Sequence, residues 1–471
     1  MQTFSPITIS CFKAYDVRGE LGVTLDEPIS YRIARAFAQI LKTNNTAEHP
    51  TIVIGSDIRP SSHSLKLAAI AGITDAGVDV IDLGMTGTEE VYFATSHYQA
   101  IGGIEVTASH NPINYNGLKM VRENSRPISA DTGLADIRTI AERGEFVVAD
   151  KGRVTLNTDK TAYIDKLMSF IDTSKFLPKK IVVNSGNGSA GPVVDELERR
   201  LGDDIELIKV HHTPDGSFPN GIPNPMIIAN QAATRDAVIA HKADFGVAFD
   251  GDFDRCFLFD ENGRFIDGSY VVGMLAAVFL QKYPKQTIVY DPRVIYNTQN
   301  VIKKMQGTPA LSKSGHSFIK QVMRETQAIY GGEMSAHHYF KDFFYCDSGM
   351  IPWLLVIELL SVTGKSLAEL VDDYIQDFPS SGERNFRLDK TDAATISQGL
   401  EQKYTHLNPQ KNTLDGLSLD FGNWRFNLRS SNTEPLIRLN VEACGDATLL
   451  TQKTKEIIDY LQKQGAIATD H

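Results

Sequence analysis

The sequence has 471 residues, which is too long for a single hydrophobic core and predicts three or four domains. Its 42% hydrophobic and 22% charged residues are typical of a soluble globular protein, and no apolar run is long enough to cross a bilayer. The formal net charge of −11 argues against nucleic acid or an anionic membrane as a partner. No signal segment stands out, so we expect a cytoplasmic protein. The cysteines form no CxxC pair, and Cys256 and Cys444 lie in strand-like runs, so we expect both to be buried free thiols.

Strand and helix patterns alternate in three successive α/β units, with no literal sequence repeat. The first contains "TIVIGSD" and "SSHSLKLAAIAGITDAG", the second "KKIVVNSGNG" and "PVVDELERRLG", and the third "QTIVYDPR" and "YNTQNVIKKMQG". "FPSSGERNF" (residues 378–386) is typical of a linker, and two antiparallel strands and a helix after it predict a small α+β domain. The predicted domains are therefore residues 1–154, 155–264, 265–378 and 379–471.

A serine beside a histidine, Ser109 and His110, lies in "VTASHNPINYNGLKM" (residues 106–120). A strand pattern precedes it and "HNPINYNG" is rich in turn formers, so we expect Ser109 at the tip of a loop that leaves a sheet. Because neighbouring side chains of an extended segment point to opposite sides, the two side chains are not expected to face each other as a hydrolase pair would.

Three aspartates at alternate positions, Asp250, Asp252 and Asp254, lie between two apolar strands in "FGVAFDGDFDRCFLFDENG". Carboxylates this close repel one another unless a divalent cation neutralises them, and an all-oxygen ligand set suits Mg²⁺. A solvated acidic turn is the alternative, but it leaves Phe253 and the apolar flanks unexplained. The pattern favours a metal site.

Two further loops carry polar residues after a strand. In "GGEMSAHHYFKDF" (residues 331–343), Glu, Ser and His can bind sugar hydroxyls, although satisfied polar residues at a helix start fit equally well. In "RFNLRSSNTEPLIRLNVE", the side chains of Arg429, Ser431, Asn432 and Thr433 and the turn amides can form a phosphate cradle, although such polarity is also common in an ordinary β-turn.

A glycine pattern after the second-unit strand, at Gly186, Gly188 and Gly191, has the G-x-G-x-x-G spacing of a dinucleotide-binding turn. Such a site needs an acidic residue at the end of the next strand, but "IELIKVHH" ends in valine and histidine. Close strand–helix packing is the better interpretation of these glycines.

Taken together, the loops resemble the α-D-phosphohexomutase family, and most closely its bacterial-type phosphomannomutases, over essentially the full length. The matching segments occur in family order: "AYDVRG" (14–19), "TASHNPINYNGLK" (107–119), "DGDFDR" (250–255), "GEMSAHHYF" (332–340) and "RSSNTEP" (429–435). "PDGSFPNGIPNP" (214–225) also resembles a family segment, except that Gly221 stands where a histidine is more usual. We expect three consecutive α/β/α-sandwich domains with mixed sheets plus a C-terminal α+β domain around a central cleft.

The resemblance implies a role for each loop. Ser109 is held as a phosphoserine and binds Mg²⁺ together with the three aspartates. A hexose phosphate enters with its phosphate in the cradle, and its free hydroxyl attacks the phosphoserine to give a hexose 1,6-bisphosphate, which turns end for end. The resemblance also implies positive charge near the serine from Arg18, Lys119 and Arg255, a loop-shaping role for His110, and Lys119 or His337 as the general base. Glu333 and Ser335 would contact sugar hydroxyls. Arg293 and His316 would line the cleft, although a structural role at a helix start is the alternative for His316.

The function implied is the interconversion of mannose 6-phosphate and mannose 1-phosphate, which would supply GDP-mannose synthesis. Met334 in the "GEMS" segment favours mannose, with a dual mannose/glucose enzyme as the alternative. A metal-dependent sugar phosphomonoesterase that uses the same serine is the rival of another reaction class, and a nicotinamide-dependent oxidoreductase built on Gly186 is a weaker one. The expected partners are small hexose phosphates.

Overall fold

The computed structural model describes residues 2–13, 15–129, 132–388, 391–430 and 436–469. The chain divides into two compact units, one of Met1–Phe265 with Asp342–Gly364 and one of Ile266–Lys341 with Lys365–His471. Among the described residues, no helix has the length and apolar character needed to span a membrane.

The first unit opens with a mixed sheet in the strand order β2-β6-β5-β3-β4-β9. Its elements are β1 (Gln2–Thr3), β2 (Val17–Glu20), α1 (Glu27–Thr43), β3 (Thr51–Ser56), α2 (Ser62–Asp75), β4 (Asp79–Met85), α3 (Thr88–His97), β5 (Gly102–Val106), β6 (Tyr115–Arg122), β7 (Arg126–Pro127), α4 (Leu134–Arg143), β8 (Glu145–Phe146), β9 (Val154–Leu156) and α5 (Thr161–Met168). Strand β3 is parallel to β4 and β5, whereas β6 is antiparallel to β5. Strand β9, which begins at the predicted domain boundary, pairs with β4.

Helix α1 shows how local sequence builds this layer. Asp26 caps the helix by accepting a hydrogen bond from the backbone N–H of Ile29 at 2.8 Å, and a proline follows in the first turn. Its apolar residues Ile33 and Phe37, one turn apart, are fully buried in the core shared with the sheet.

The first unit continues with a second mixed sheet in the order β11-β10-β12-β13. Its elements are β10 (Lys179–Asn184), α6 (Gly191–Leu201), β11 (Ile205–Val210), α7 (Ala232–His241), β12 (Phe245–Phe249) and β13 (Cys256–Asp260). Strand β10 is parallel to β11 and β12, and β13 is antiparallel to β12.

The second unit begins with a sheet that contains the order β15-β14-β16-β17. Its elements are α8 (Gly268–Lys282), β14 (Thr287–Tyr290), α9 (Tyr296–Lys304), β15 (Thr308–Leu311), α10 (His316–Thr326), β16 (Tyr330–Gly332) and β17 (His338–Phe340). Strand β14 is parallel to β15 and β16, and β17 is antiparallel to β16. The next two elements, β18 (Cys346–Asp347) and α11 (Met350–Thr363), belong to the first unit, and α12 (Leu367–Asp377) belongs to the second.

The C-terminal part of the second unit is an antiparallel sheet in the order β20-β21-β22-β23-β19-β24. Its elements are β19 (Arg384–Leu388), α13 (Ala393–Tyr404), β20 (Gln410–Asn412), β21 (Leu417–Asp420), β22 (Trp424–Ser430), β23 (Leu436–Ala443), α14 (Ala447–Lys463) and β24 (Ala466–Thr469). The two predicted strands, β22 and β23, are confirmed. The linker prediction is wrong for residues 384–386, because they belong to β19 and pair with both β23 and β24.

The cysteines are all free. The prediction of a buried thiol is confirmed for Cys256 but wrong for Cys444, which is exposed because it directly follows the last residue of β23.

The three α/β sheets share one arrangement of strands, so the predicted architectural repetition and fold class are confirmed. In each sheet the first strand lies between the second and the third, and the fourth runs antiparallel beside the third: β4-β3-β5-β6, β11-β10-β12-β13 and β15-β14-β16-β17. The connection from the third strand to the fourth carries a candidate loop in each sheet, namely residues 107–114, 250–255 and 333–337. Each loop thus follows the carboxyl end of a parallel strand, where ligand sites of α/β sheets commonly lie.

Candidate active site

The serine loop holds Ser109 in a left-handed backbone conformation, with φ at +49° and the residue 2% exposed. The Ser109 Oγ lies 3.0 Å from Nδ1 of His110. The prediction that these side chains point apart is therefore wrong, because it assumed an extended backbone. A positive φ is uncommon for a residue with a side chain, so the surrounding contacts must hold it.

The contact between Ser109 and His110 is nevertheless not a hydrolase pair. The hydroxyl of Ser109 donates to Oδ2 of Asp250 at 2.7 Å, and the guanidinium of Arg255 donates to Nδ1 of His110. Burial, together with the charges of Arg255 and Arg18, lowers the pKa of His110 well below its usual value. His110 is therefore a neutral acceptor for Arg255, and its role in shaping the loop stays a prediction.

The three predicted aspartates converge on one point beside Ser109. Carboxylate oxygens of Asp250, Asp252 and Asp254 all lie within 4.8 Å of one another, and each residue is at most 2% exposed. Within the described part of the chain, Oδ1 of Asp250 and Oδ1 of Asp252 are buried without a hydrogen-bond partner. Buried carboxylate oxygens left unpaired are costly, and oxygen-only sets of this kind suit hard divalent cations. The cluster can hold a metal ion.

Two cations partly balance this cluster. Lys119 Nζ lies 2.6 Å from Oδ2 of both Asp252 and Asp254, and Arg255 Nε lies 3.0 Å from Oδ2 of Asp250. Burial lowers the pKa of Lys119, but the two carboxylates more than offset this and raise the pKa above its usual value. Burial raises the pKa of Asp250 to about 6, against the opposing effect of Arg255. Lys119 is therefore an ammonium group in this arrangement.

Arg59, which was not predicted from the sequence, holds the backbone of the serine loop. Its Nη2 donates to the carbonyl oxygens of Ser109 at 2.9 Å and Asn111 at 2.6 Å, and its Nη1 to those of Pro112 at 2.9 Å and Tyr115 at 3.2 Å. Arg59 is 2% exposed. The available signal was an arginine just after the strand in "GSDIRP", which is a weak one because such residues are usually exposed.

A second chain of contacts reaches the amide of Ser109. Asp57 lies 3.5 Å from Nε of Arg59 and accepts a 2.7 Å hydrogen bond from the hydroxyl of Thr107. That hydroxyl accepts a 2.8 Å hydrogen bond from the N–H of Ser109. Arg18 adds a 3.3 Å contact from Nη1 to the carbonyl of Ala108. Both sides of the Ser109 peptide are thus held, which accounts for its positive φ.

The start of α3 anchors the aspartate loop. Thr88 donates from its N–H to the Asp252 carbonyl at 3.1 Å and from Oγ1 to Asp252 Oδ2 at 2.6 Å. Phe253 is fully buried, and a Cβ on Gly87 would lie 2.2 Å from its ring. This packing accounts for Phe253, which the solvated-turn alternative did not. Thr88 was also missed from the sequence.

The glycine-rich turn supports the same loop by close packing. A Cβ on Gly188 would lie 2.7 Å from the carbonyl oxygen of Gly251, and one on Gly191 would lie 2.2 Å from the carbonyl oxygen of His212. Close packing therefore accounts for Gly188 and Gly191, but the neighbouring backbone belongs to loops and not to a strand.

In the second unit, the structure brings together three of the predicted sugar-binding residues. Glu333 accepts hydrogen bonds from the hydroxyl of Tyr339 at 2.5 Å and from the N–H of Gly315 at 2.7 Å. Arg293 Nη2 lies 3.6 Å from Oε1 of Glu333 and 3.2 Å from Oγ of Ser335. A carboxylate, a hydroxyl and a guanidinium thus form one polar group.

The two predicted histidines lie beside this group. His316 is the first residue of α10, directly after Gly315, and the ring of His337 stacks on that of Tyr339 at 6.1 Å. The helix-start role of His316 stays open as its alternative.

The predicted phosphate cradle is described only in part. Arg429 is 8% exposed near the end of β22, whereas Ser431, Asn432 and Thr433 lie outside the described residues. Glu383, which was not predicted from the sequence, contacts Arg429: its Oε2 lies 3.3 Å from Nη2 of Arg429. Glu383 was missed because it stands in the segment taken for a linker.

Sequence profiles now decide the family. Four profiles match along the chain: phosphoglucomutase/phosphomannomutase alpha/beta/alpha domain I at residues 10–148, domain II at 161–263, domain III at 267–378 and the C-terminal domain at 385–459. The chain belongs to the phosphoglucomutase/phosphomannomutase family. The resemblance inferred from the five loops is confirmed.

Known family members are similar to the chain over nearly its full length. A phosphomannomutase of Salmonella montevideo is 56% identical over 459 residues, which cover 96% of this chain and 99% of that protein. A phosphomannomutase of Escherichia coli strain K12 is 54% identical, covering 97% and 99%. A crystal structure of a phosphoglucomutase/phosphomannomutase family protein from Burkholderia thailandensis has a TM-score of 0.86 at 30% identity, covering 98% of this chain and 100% of that one.

In this phosphoglucomutase/phosphomannomutase chain, the predicted residues fall into two groups by unit. The group in the first unit consists of Arg18, Ser109, His110, Lys119, the three aspartates and Arg255. The group in the second unit consists of Arg293, Glu333 and Ser335, and Glu383 connects Arg429 to Arg293. Each group is a candidate for one part of the chemistry: phosphoryl transfer in the first and recognition of the sugar phosphate in the second.

Proposed function

We propose that this protein is a phosphomannomutase that interconverts mannose 6-phosphate and mannose 1-phosphate through a phosphoserine at Ser109 and a hexose 1,6-bisphosphate. The observation that carries the proposal is the position of the Ser109 hydroxyl, 2.7 Å from Asp250 within a cluster of buried carboxylates flanked by Lys119 and Arg255. Relatives named phosphomannomutase, at 54% and 56% identity over nearly the whole chain, support mannose as the sugar. The product would supply GDP-mannose synthesis.

The residues around Ser109 suit phosphoryl transfer. Asp250 accepts the serine proton in a hydrogen bond and so fixes the direction of Oγ. Arg255 and Lys119 place positive charge beside the position of the transferring group, where positioning and electrostatics supply most of the catalysis. Mg²⁺, bound by Asp250, Asp252 and Asp254 with an oxygen on phosphorylated Ser109, would neutralise charge on that group.

The general base for the sugar hydroxyl is either Lys119 or His337. The two short ion pairs with Asp252 and Asp254 keep Lys119 protonated, and this arrangement favours Lys119 as a proton donor. Glu333 and Ser335 would bind hydroxyls that mannose and glucose share, so a dual-specificity enzyme is the second candidate.

Metal binding can be tested without turnover. We expect Mg²⁺ to raise the melting temperature of the metal-free protein, because a ligand that binds only the folded state stabilises that state. At a Mg²⁺ concentration one hundred times its Kd, the free energy of unfolding should rise by about 2.7 kcal/mol. Asp252→Asn should lose this Mg²⁺-dependent shift, whereas Asp215→Asn, which changes an exposed carboxylate, should keep it. A full shift in Asp252→Asn, measured by calorimetry, would remove Asp252 from the metal site.

The cradle assignment predicts the effect of Arg429→Ala. Hydrogen bonds to charged groups contribute about 1.5–3 kcal/mol, so KM for mannose 1-phosphate should rise roughly 10- to 100-fold. Arg235→Ala, which removes an exposed guanidinium, is the matched control and should leave KM unchanged. An unchanged KM in Arg429→Ala contradicts the cradle.

The experiment that tests the function is a ³¹P NMR time course. Protein, Mg²⁺ and trace hexose 1,6-bisphosphate are mixed with mannose 1-phosphate, glucose 1-phosphate or glucosamine 1-phosphate in separate tubes. Growth of a 6-phosphate signal in the mannose tube supports the mutase, and its relative rate in the glucose tube decides between single and dual specificity. If the signal of inorganic phosphate grows instead, the protein is a phosphomonoesterase and the proposal is wrong.

A further inference from the structure

The carboxylate of Glu383, whose side chain is 9% exposed, lies among three guanidinium groups of the second unit. Its Oε2 is 3.3 Å from Nη2 of Arg429 and 3.8 Å from Nη1 of Arg293, and its Oε1 is 3.3 Å from Nη1 of Arg438. Burial raises the pKa of Glu383, but the three arginines outweigh it and hold the pKa below the usual value. Glu383 is therefore an anion at neutral pH.

The register of the sheet explains why an anion is needed there. Arg429 on β22 pairs directly with Arg438 on β23, and Asn385 on β19 pairs with Arg438 from the other side. Like charges opposite each other on adjacent strands repel. Glu383 stands one residue before β19 and supplies the counter-ion for both.

The contact with Glu383 leaves hydrogen-bonding capacity on Arg429 unused. Distances of 3.3 to 3.8 Å are longer than the roughly 2.7–2.9 Å of a strong charge-assisted bond. Arg429 is 8% exposed, and its Nε has no hydrogen-bond partner in the described ranges. A buried guanidinium with an unpartnered N–H and a weakly held counter-ion can accept a second anion.

Arg293 extends this network towards the sugar-binding group. It contacts Glu383 through Nη1, and Asp291 and Glu333 through its other nitrogens. The carboxylates of Glu383, Glu333 and Asp291 lie beside the guanidinium group of Arg293, and Asp267 also acts on Arg293 and Glu383. The three guanidinium groups around Glu383 thus already have carboxylate partners, and an arriving phosphate adds negative charge next to Glu383.

We infer that Glu383 is a positioning residue that competes with the substrate phosphate for the guanidinium groups of Arg429 and Arg438. The inference rests on the phosphate-binding role proposed for Arg429. The bisphosphate must leave the cradle in each turnover so that its other phosphate can bind there. A resident carboxylate repels the bound phosphate and takes its place on Arg429 and Arg438 as it leaves, which keeps the intermediate exchangeable.

Binding of inorganic phosphate to the full chain, measured by isothermal titration calorimetry, tests this role. Glu383→Gln keeps the shape of the side chain but removes its charge, so the Kd for phosphate should fall roughly tenfold, a typical size for coupling between two ligands. Glu383→Asp keeps the charge but draws it away from the arginines, so its Kd should fall less. In turnover, KM and kcat of Glu383→Gln should both fall, because release of the intermediate slows.

The controls separate this effect from a general loss of charge or of structure. Glu401→Gln removes a half-exposed carboxylate of the same sheet domain, paired with Lys411, and should leave the Kd unchanged. Adding Arg429→Ala to Glu383→Gln should abolish the gain in phosphate affinity, which would assign that gain to binding at Arg429.

A Kd equal to or higher than that of the wild type in Glu383→Gln overturns the inference. If that variant does not fold, the same outcome in Glu383→Asp decides the question. Failure of the proposed function gives a different result: the wild-type protein then binds phosphate but does not interconvert the mannose phosphates.

Discussion

Ser109→Ala should lose mannose phosphate interconversion, with kcat falling roughly 10⁴-fold or more, as expected when a covalent nucleophile is removed. In the proposed cycle the Ser109 hydroxyl is the protein group that carries the phosphoryl group, and it lies 2.7 Å from Asp250. Mass spectrometry after incubation with hexose 1,6-bisphosphate should find one added phosphoryl group on the wild-type protein and none on the variant.

The fold should survive this change, because Ser109 is held chiefly through its backbone. Its carbonyl accepts from Arg59 and its N–H donates to Thr107, and alanine keeps both contacts. Ser217→Ala removes an exposed hydroxyl of the same unit and should retain full activity. A Ser109→Ala protein that still interconverts mannose phosphates, or that still takes up a phosphoryl group, contradicts the role of this serine.

Arg59→Lys is expected to have the second largest effect. An ammonium group cannot reproduce the planar fork that reaches the four loop carbonyls, so the Ser109 peptide loses the support for its positive φ. A displacement of about 1 Å at a reacting group costs on the order of 100-fold in rate, so kcat should fall by that amount. The lost hydrogen bonds should also lower the free energy of unfolding by about 1–3 kcal/mol.

Steady-state kinetics and urea unfolding test these two effects together. Arg138→Lys is the matched control, because Arg138 lies on the surface of α4 in an i,i+4 pair with Glu142. Its stability should change by less than about 0.5 kcal/mol and its kcat should not change. If the kcat of Arg59→Lys equals that of the wild type, Arg59 only stabilises the fold and does not position Ser109.

The loops proposed to carry the chemistry were predicted from the sequence because each combines unusual residue types at short range. The alternation of Asp250, Asp252 and Asp254 between apolar strands needs no tertiary information to suggest a metal site. The residues that support these loops were missed, because their function depends on partners far along the chain. Arg59 contacts carbonyls about fifty positions away, and Thr88 contacts Asp252 at a separation of 164 residues.

Local reasoning also failed where the backbone departs from regular geometry. An extended chain would separate the Ser109 and His110 side chains, but a φ of +49° brings them to 3.0 Å. Glu383 was taken for part of a linker, because a short polar segment does not reveal that the next residues pair with two strands. In both cases the deciding contacts come from other segments.

By itself, therefore, the sequence determined the fold class, the repeated α/β units and the identity of the loops, because hydrophobic periodicity and residue type are local properties. Only the tertiary structure decided that all three loops follow the third strand of the same 2-1-3-4 arrangement. It also decided which buried charges face one another, since hydrogen bonding and electrostatics depend on distances between segments that the linear order does not contain. Arg59 and Glu383 acquire their proposed roles at this level, through the carbonyls and guanidinium groups that folding places around them.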